Sequence, residues 1–289
     1  STSIKNILYL SRINRSVNKG FLFSLGKSSD DIIIEWEEYF KFHSKNDLVS
    51  REVPKKENLV KTKVRKNQSI SQIKISPDGK NLAYATHKKG SYKVFLKNLE
   101  SKKRKKIFKG GFNSDNYPHD LSYPLLAWNP SSTQLIGIHE KSDQIKLINF
   151  DLPEKKKTKD DIRGFQRIYQ VNFSSDGRSL MFSAQNRGQT DIYLFELSMT
   201  RPTQLTNDIF DDSYPTMIQL SGANGILFSS NRPDENISGA TYDSILPVGN
   251  YNLYFLNLDN PSLEPIKITS FPTENQTQSA QINDQYFLL

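Results

Sequence analysis

Residues 72–99 read QIKISPDGKNLAYATHKKGSYKVFLKNL, and residues 170–197 read QVNFSSDGRSLMFSAQNRGQTDIYLFEL. The two stretches overlay without a gap at a shift of 98: Gln72 meets Gln170, Ser76 Ser174, Asp78 Asp176, Gly79 Gly177, Leu82 Leu180, Gly90 Gly188 and Leu99 Leu197. Apolar residues alternate with polar ones on both sides of Asp-Gly, the pattern of a β-hairpin half buried along each strand. A shift of 53 adds a middle copy, in which Pro77 meets Pro130, Leu82 Leu135 and Leu99 Leu152. A fourth copy follows in Ile218–Leu220, Ile226–Ser230 and Leu253–Leu258. Each copy has one grammar: an alternating run, a turn, a second run, a polar loop, a third run such as Lys93–Leu99, and a closing run such as Lys106–Phe108 or Gln204–Thr206. Four strands in about 45–55 residues, repeated in tandem, predict propeller blades. A β-sandwich of the same strand count would not need one turn repeated at fixed register.

The repeats resemble those of TolB-type β-propellers. Ser76-Pro-Asp-Gly-Lys80, Ser174-Ser-Asp-Gly-Arg178, Asp191-Ile-Tyr-Leu194, Thr203-Gln-Leu-Thr206 and Phe228-Ser-Ser-Asn-Arg-Pro233 fall in the order of that family's blade pattern, over residues 68–289. The departures are Asn129-Pro-Ser-Ser132 and Ser221-Gly-Ala-Asn224 in place of Asp-Gly turns, and a long insertion, Pro233–Gly249. The resemblance implies an all-β propeller of six blades or more, of which about four and a half four-stranded blades are countable here, a bacterial periplasmic or other extracytoplasmic location, and work as a protein-interaction platform. Thr277–Leu289 reads as the opening strands of a fifth blade. An open ring would expose two sheet edges, so the chain is expected to be truncated at its C-terminus.

Before the repeats the apolar period is helical. Ile4, Ile7, Leu8, Ile13, Val17 and Phe21 predict one helix over 4–25 with Gly26 behind it. Ser28-Ser-Asp-Asp31 starts a second, whose stripe Ile32, Trp36, Tyr39 and Phe40 runs to about Phe42 and is expected to pack on a neighbouring surface. The division is therefore a helical segment 1–45, a polar connector 46–67 with a short strand at Leu59–Val64, and blades from 68. The helical front also resembles the tail of zincin-type peptidase domains that precede such propellers, without a catalytic motif. The chain opens Ser1-Thr2-Ser3 without Met, as a mature or excised piece does.

With 36% hydrophobic residues, 17 Phe and 13 Tyr, the chain can fill a core, and it has no apolar run long enough to span a bilayer. It has no cysteine, which excludes disulfides, thiolate metal sites and cysteine nucleophiles. The net charge of +8 is uneven: residues 1–110 carry 26 basic against 10 acidic side chains, residues 111–289 carry 13 against 21. Such asymmetry suits an anionic partner or a merely solvated face. Lys102-Lys-Arg-Lys-Lys106 reads as a solvated hairpin, since no aromatic interleaving or groove-facing helix makes it a nucleic-acid site.

The search for chemistry returns little. His139-Glu140 begins a zinc-hydrolase motif, but Asp143 stands where the second His belongs, and the four His are scattered. We read no catalytic residue, no metal site and no cofactor. Asp78-Gly79 and Asp176-Gly177 are turn formers. Asp120-Leu-Ser-Tyr-Pro124 recurs as Asp211-Asp-Ser-Tyr-Pro215, and Arg187 and Arg232 follow Asn in equivalent loops, where each can bridge blades through carboxylates or meet a ligand at the rim. In a propeller these loops leave by one face with Asn113–Tyr123, Arg163–Tyr169 and Asp208–Tyr214, so Tyr123, Tyr214, Arg187, Arg232, Asp120 and Asp211 form the candidate partner-binding face, together with the insertion. The expected function is a non-catalytic protein-binding scaffold that joins a membrane complex through its partner rather than by insertion. The alternative is a propeller accessory to a bacterial peptidase whose catalytic domain lies outside this stretch.

Overall fold

Ser16 and Gly26 divide the front of the chain. In the computed structural model, which describes residues 2–49, 55–56, 59–62, 64–113, 120–220, 222–232, 250–260, 264–270, 280–283 and 286–288, helix α1 spans Thr2–Asn14, α2 Val17–Leu25 and α3 Ser29–Val49. The single helix expected over 4–25 is broken: Arg15 takes φ 51°, and Ser16 caps α2 by accepting from Lys19 N at 3.3 Å. Gly26, at φ 73°, ends α2 with its N–H on Leu22 O at 2.9 Å. Helix α3 runs past Phe42 because nothing between Ser44 and Val49 is a helix breaker. Trp36 and Tyr39 each meet the Phe40 ring edge-on, with centroids 4.9 and 5.4 Å apart, and all three stay about half exposed or more. The short strand expected at Leu59–Val64 does not form, and the described residues of that stretch are irregular. By internal contacts the chain divides into two units, Ser1–Thr62 and Lys63–Leu289.

The second unit is built of meanders. Strands β1 (Ser69–Ile75), β2 (Asn81–Lys88), β3 (Ser91–Asn98) and β4 (Arg104–Gly110) form the first antiparallel sheet in sequence order. Strands β5 (Leu125–Trp128), β6 (Gln134–Lys141), β7 (Gln144–Asp151) and β8 (Lys157–Ile162) form the second. The third is β9 (Arg167–Phe173), β10 (Ser179–Asn186), β11 (Gln189–Glu196) and β12 (Thr203–Gln204). The fourth is β13 (Asp212–Leu220), β14 (Ala223–Ser230), β15 (Asn252–Asn257) and β16 (Ile266–Lys267). A hairpin, β17 (Ala280–Asn283) with β18 (Tyr286–Leu288), follows. Four four-stranded sheets and the start of a fifth make this a β-propeller fold.

Period-2 alternation explains the core, because each middle strand buries one face against the preceding blade and the other against the next. Val94 and Phe108 of blade one meet Leu126, Ile148 and Phe150 of blade two. Ile136, Ile138 and Leu147 of blade two meet Phe182, Tyr193 and Phe195 of blade three. Met181 and Ile192 of blade three meet Ile226, Phe228 and Tyr254 of blade four. One cross-strand aromatic pair recurs: Tyr84–Phe95, Phe182–Tyr193 and Phe228–Tyr254, with centroids 5.7, 5.9 and 6.2 Å apart.

The Asp-Gly turns are not the two-residue kind. Between β1 and β2, Gly79 N bonds Ser76 O at 2.8 Å and Ser76 N bonds Asn81 O at 2.8 Å, so residues 76–80 form the loop. Ser76 Oγ donates to Asp78 Oδ1 at 2.5 Å, and Lys80 N donates to the same oxygen at 3.0 Å. Ser174, Asp176 and Arg178 repeat this at 2.5 and 3.0 Å. In each, the serine hydroxyl first and the backbone amide second hold the aspartate below the usual carboxylate range. Blade two substitutes Asn129, whose Oδ1 accepts from Thr133 N and Gln134 N at 2.9 and 2.8 Å. The true two-residue turns join second to third strands: Lys89-Gly90, Ser142-Asp143 and Arg187-Gly188, with both residues at positive φ.

Candidate functional site

The innermost strands β1, β5, β9 and β13 line up side by side and enclose a cavity of about 830 Å³. Bulges shape its wall. The β1–β2 register slips between Ser71 and Lys74, where Gln72 sits at φ 53°. The β13–β14 register slips between Ser213 and Thr216, where Tyr214 sits at φ 58°. The β9–β10 register slips opposite Tyr169, between Ser183 and Ala184. A bulge re-aims one side chain and leaves its strand otherwise intact. Gln72, Tyr169 and Tyr214 all line the cavity, with Gln170, Asn172 and Thr216 beside them.

This wall is mixed, with Leu125, Trp128, Val171 and Phe173 among its amides and hydroxyls, and it is nearly uncharged. Gln72 Nε2 donates to Ser122 O at 3.1 Å, Asn172 Nδ2 to Pro215 O at 2.9 Å, and the Tyr169 hydroxyl to Gln185 Oε1 at 3.0 Å. Gln170 Oε1 is sealed from solvent with no hydrogen-bond partner in the structure. A buried acceptor left open costs about 1–3 kcal/mol until something donates to it. Lys74 is the one charged group of the wall, exposed to the cavity yet surrounded by protein, and this desolvation pulls its ammonium below the usual lysine range.

The structure distributes the six expected face residues rather than gathering them. Tyr123 is a correction: it is only 5% exposed, and its hydroxyl donates to Ile168 O at 2.8 Å and accepts from Ile168 N at 2.9 Å. It is a pin between blades two and three, because the peptide of Ile168 on β9 offers both groups toward it. Arg232 takes the carboxylate-bridging role rather than the rim one: its side chain is 11% exposed and gives Nη1 to Asp212 Oδ1 at 2.7 Å, Nη2 to Asp212 Oδ2 at 3.0 Å and Nη2 to Asp208 as well. Its guanidinium lies 5.4–5.6 Å from the rings of Phe228, Phe210 and Tyr254. Burial pushes the fully enclosed Asp212 up to about 7, against the pull of Arg232.

Arg187 is not equivalent to Arg232: at φ 53° it occupies the exposed two-residue turn between β10 and β11. Asp120 is exposed and pairs with Arg167 Nη2 at 2.5 Å. Partial burial would raise its carboxyl, but the Ser122 hydroxyl and amide, then Arg167, hold it low. Asp211 is half-buried, and its N–H donates to Asn231 Oδ1 at 2.9 Å. Of the six, Tyr214 alone lines the cavity. The insertion Pro233–Gly249 lies outside the described residues.

Sequence reasoning placed Arg167 and Tyr169 on the face only as part of the loop Arg163–Tyr169, and it missed Gln170 and the bulges, which leave no compositional mark. The Arg167 guanidinium sits 5.4 Å from the Tyr123 ring and 5.8 Å from the Tyr169 ring. The sequence also hid a Ser71 Oγ–His87 Nε2 contact of 2.7 Å. His87 is buried and desolvation lowers its pKa, while Nδ1, which a catalytic histidine would give to an orienting carboxylate, has no partner in the structure. His139-Glu140 lies in strand β6, with His139 against the Phe108 ring at 5.9 Å. No trio of His, Asp or Glu that could hold a metal occurs among the described residues. In the basic run, Arg104 stacks over Phe95 at 4.4 Å and Lys105 over Phe150 at 5.3 Å.

The same arrangement recurs in solved structures at low identity. A puromycin-hydrolysing peptidase from Mycobacterium tuberculosis is similar over 74% of this chain and 33% of its own, at 12% identity and a TM-score of 0.50. TolB from Acinetobacter baumannii is similar over 72% of this chain and 45% of its own, at 16% identity and a TM-score of 0.48. The β-propeller domain of the trilobed protease from Pyrococcus furiosus is similar over 69% and 57%, at 17% identity and a TM-score of 0.43. The chain thus spans between a third and somewhat over half of the length of these proteins. No family model matches the chain, and no curated protein sequence does. The likeness is one of fold.

Proposed function

We propose that this propeller is a non-catalytic scaffold that binds a segment of another protein at the bulged end of its channel. The observation that carries the reading is the pair of tyrosines, Tyr169 and Tyr214, set against the cavity by bulges beside Gln72, Asn172 and Thr216. Tyrosines on a rigid frame are the residue type on which binding energy concentrates, and the amide and hydroxyl groups beside them suit a peptide backbone. The reading requires no metal, cofactor or nucleic acid. It places the protein in an extracytoplasmic compartment, periplasmic in a bacterium, where it meets a membrane complex through its partner. Among the described residues no helix is long and apolar enough to cross a membrane.

The test uses Tyr169→Ala and Tyr214→Ala. The first should weaken capture of the partner from envelope extract about tenfold or more, as loss of an interface anchor does. The second should weaken capture to a similar degree, with strand content by circular dichroism unchanged in both. Undiminished capture by both variants would refute the site. The second reading, a propeller accessory to a peptidase, is favoured by the fold likeness to the mycobacterial peptidase. It predicts that photo-crosslinkers placed at Tyr169 attach to a hydrolase domain rather than to a separate protein.

A further inference from the structure

The first unit of the chain is folded inside out. Between α1 and α2 it buries Gly20, and a Cβ there would lie 2.0 Å from Ser11 Oγ and 2.8 Å from Ile7 O, so the two helices touch through small residues. Its large apolar side chains point outward: fourteen of them in α1–α3 are 45–67% exposed, from Leu8 and Phe23 to Trp36 and Phe42. At about 100 Å² each, they offer on the order of 1,000 Å² or more per copy, against the roughly 800 Å² per partner that a stable interface buries.

Charge divides the same surface in two. Residues 1–29 contain Lys5, Arg12, Arg15, Lys19 and Lys27 and no acidic residue. Residues 30–38 contain Asp30, Asp31, Glu35, Glu37 and Glu38 and no basic one, and Lys41, the next basic residue, pairs with Glu37 at 3.1 Å. Among the described residues one ion pair joins the two sets, Lys27 to Glu35 at 2.6 Å. The start of α3 is tied to α2 by Ser29 N on Asn18 Oδ1 at 3.0 Å, and from there α3 leaves Ile33, Trp36 and Phe40 uncovered. An acidic apolar helix and a basic apolar hairpin, each uncovered, are complementary to each other.

We infer that the helical unit is a self-association surface, in which the basic α1–α2 hairpin of one copy packs on the acidic α3 of a second copy of this chain, and the reverse. A twofold axis makes both contacts at once, which is how a patch with two complementary halves closes into a dimer rather than a filament. An anionic membrane would suit α1–α2 but repel α3, whose acids lie among its exposed apolar residues.

Sedimentation equilibrium of the full chain tests this with two charge-reversed variants, Lys5→Glu/Arg12→Glu and Glu37→Lys/Glu38→Lys. All four positions are exposed, and circular dichroism verifies that helix and strand content persist. The wild type should run at twice 33.2 kDa at micromolar concentration. Each variant alone should run as a monomer. An equimolar mixture should recover the dimer, because both contacts again join opposite charges. A wild type that stays monomeric at about 100 μM overturns the inference, since that is a Kd too weak for the area offered. A dimer indifferent to both reversals, or variants that do not recover on mixing, would overturn it too. Flotation of a monomeric wild type with vesicles of phosphatidylglycerol, but not of phosphatidylcholine, would overturn it in favour of a lipid surface.

Discussion

Tyr123→Phe should cost stability and nothing else. The substitution keeps the ring, so the packing among Leu125, Ile168 and their neighbours is retained. What it removes is one oxygen that makes two hydrogen bonds to one peptide, 2.8 Å to Ile168 O and 2.9 Å from Ile168 N. Both backbone groups then remain buried between blades, with a phenyl edge too close for water. Each such group costs about 1–3 kcal/mol, so the variant should lose about 2–6 kcal/mol. In a unit of this size 1 kcal/mol moves the melting temperature by about 2–4 °C, which puts the shift at about 4–24 °C. Urea denaturation followed by fluorescence of Trp128, itself 8% exposed between blades one and two, reads the loss directly. The m-value should not change, because the native surface does not. A midpoint within about 1 °C of wild type would show that Tyr123 is not the pin described, and would return it to the exposed partner face that its sequence motif suggested.

Arg232→Met should cost about 3–5 kcal/mol, because Asp212 is then a buried charge with its main counter-ion gone. Adding Asp212→Asn should recover part of that in a double-mutant cycle, and simple additivity would show that the pair is not coupled. Asp191 is enclosed, and desolvation followed by the nearby Asp208 raises it from 3.8 to about 6. The folded state therefore binds its proton more tightly than the unfolded chain, and this residue's contribution to stability falls as pH rises from about 4 to 6. Asp191→Asn should match wild type near pH 4 and exceed it by up to about 2–3 kcal/mol at pH 8; parallel stability curves across that window would refute this. Asp176→Ala should lose about 1 kcal/mol at pH 7 by releasing Ser174 Oγ and Arg178 N. Because the folded Asp176 pKa is lowered, that difference should shrink as pH falls below about 4, and a difference persisting at pH 2 would point to a purely conformational effect.

The repeat made the blades legible because each strand faces two neighbouring blades, and burial on both sides imposes the same residue types at the same register in every copy. Tyr84, Phe182 and Phe228 are interchangeable positions in that sense, all 1% exposed or less. The site was legible only in outline. Ser-Tyr-Pro at 122–124 and 213–215 pointed correctly to a recurring feature of the entry into the inner strand, but the two tyrosines part company there. Tyr123 precedes β5 and turns inward to Ile168, whereas Tyr214 lies within β13 on a bulge and faces the cavity. The difference is one of backbone φ, and a Tyr gives no more warning of a left-handed conformation than a Gln does at position 72. The pairing of Arg187 with Arg232 failed for a related reason. Local spacing matched, but the acids that bury Arg232, Asp208 and Asp212, are 24 and 20 residues upstream, and blade three has Arg163 and Arg167 at the matching positions.

The two ends of the blades differ in how much polar capacity they have left. At the Asp-Gly end, successive loops are committed to one another. Asp78 N takes Ser132 Oγ at 2.9 Å, Pro130 lies where a Cβ on Gly177 would approach to 3.2 Å, and Ser175 Oγ meets Met217 Sδ at 3.1 Å. Each aspartate there is already satisfied by its own serine and backbone, so a partner would have to break loop structure to gain a bond. At the bulged end the ladders are interrupted three times, and each slip sets one long polar side chain, Gln72, Tyr169 or Tyr214, against the cavity. Recognition needs side chains that folding has not tied into its own turns. In this chain the regular turns tie theirs down and the slips present theirs to the cavity, and this is why the regular turns, the most conspicuous motif of the sequence, are the poorer place to look for a partner.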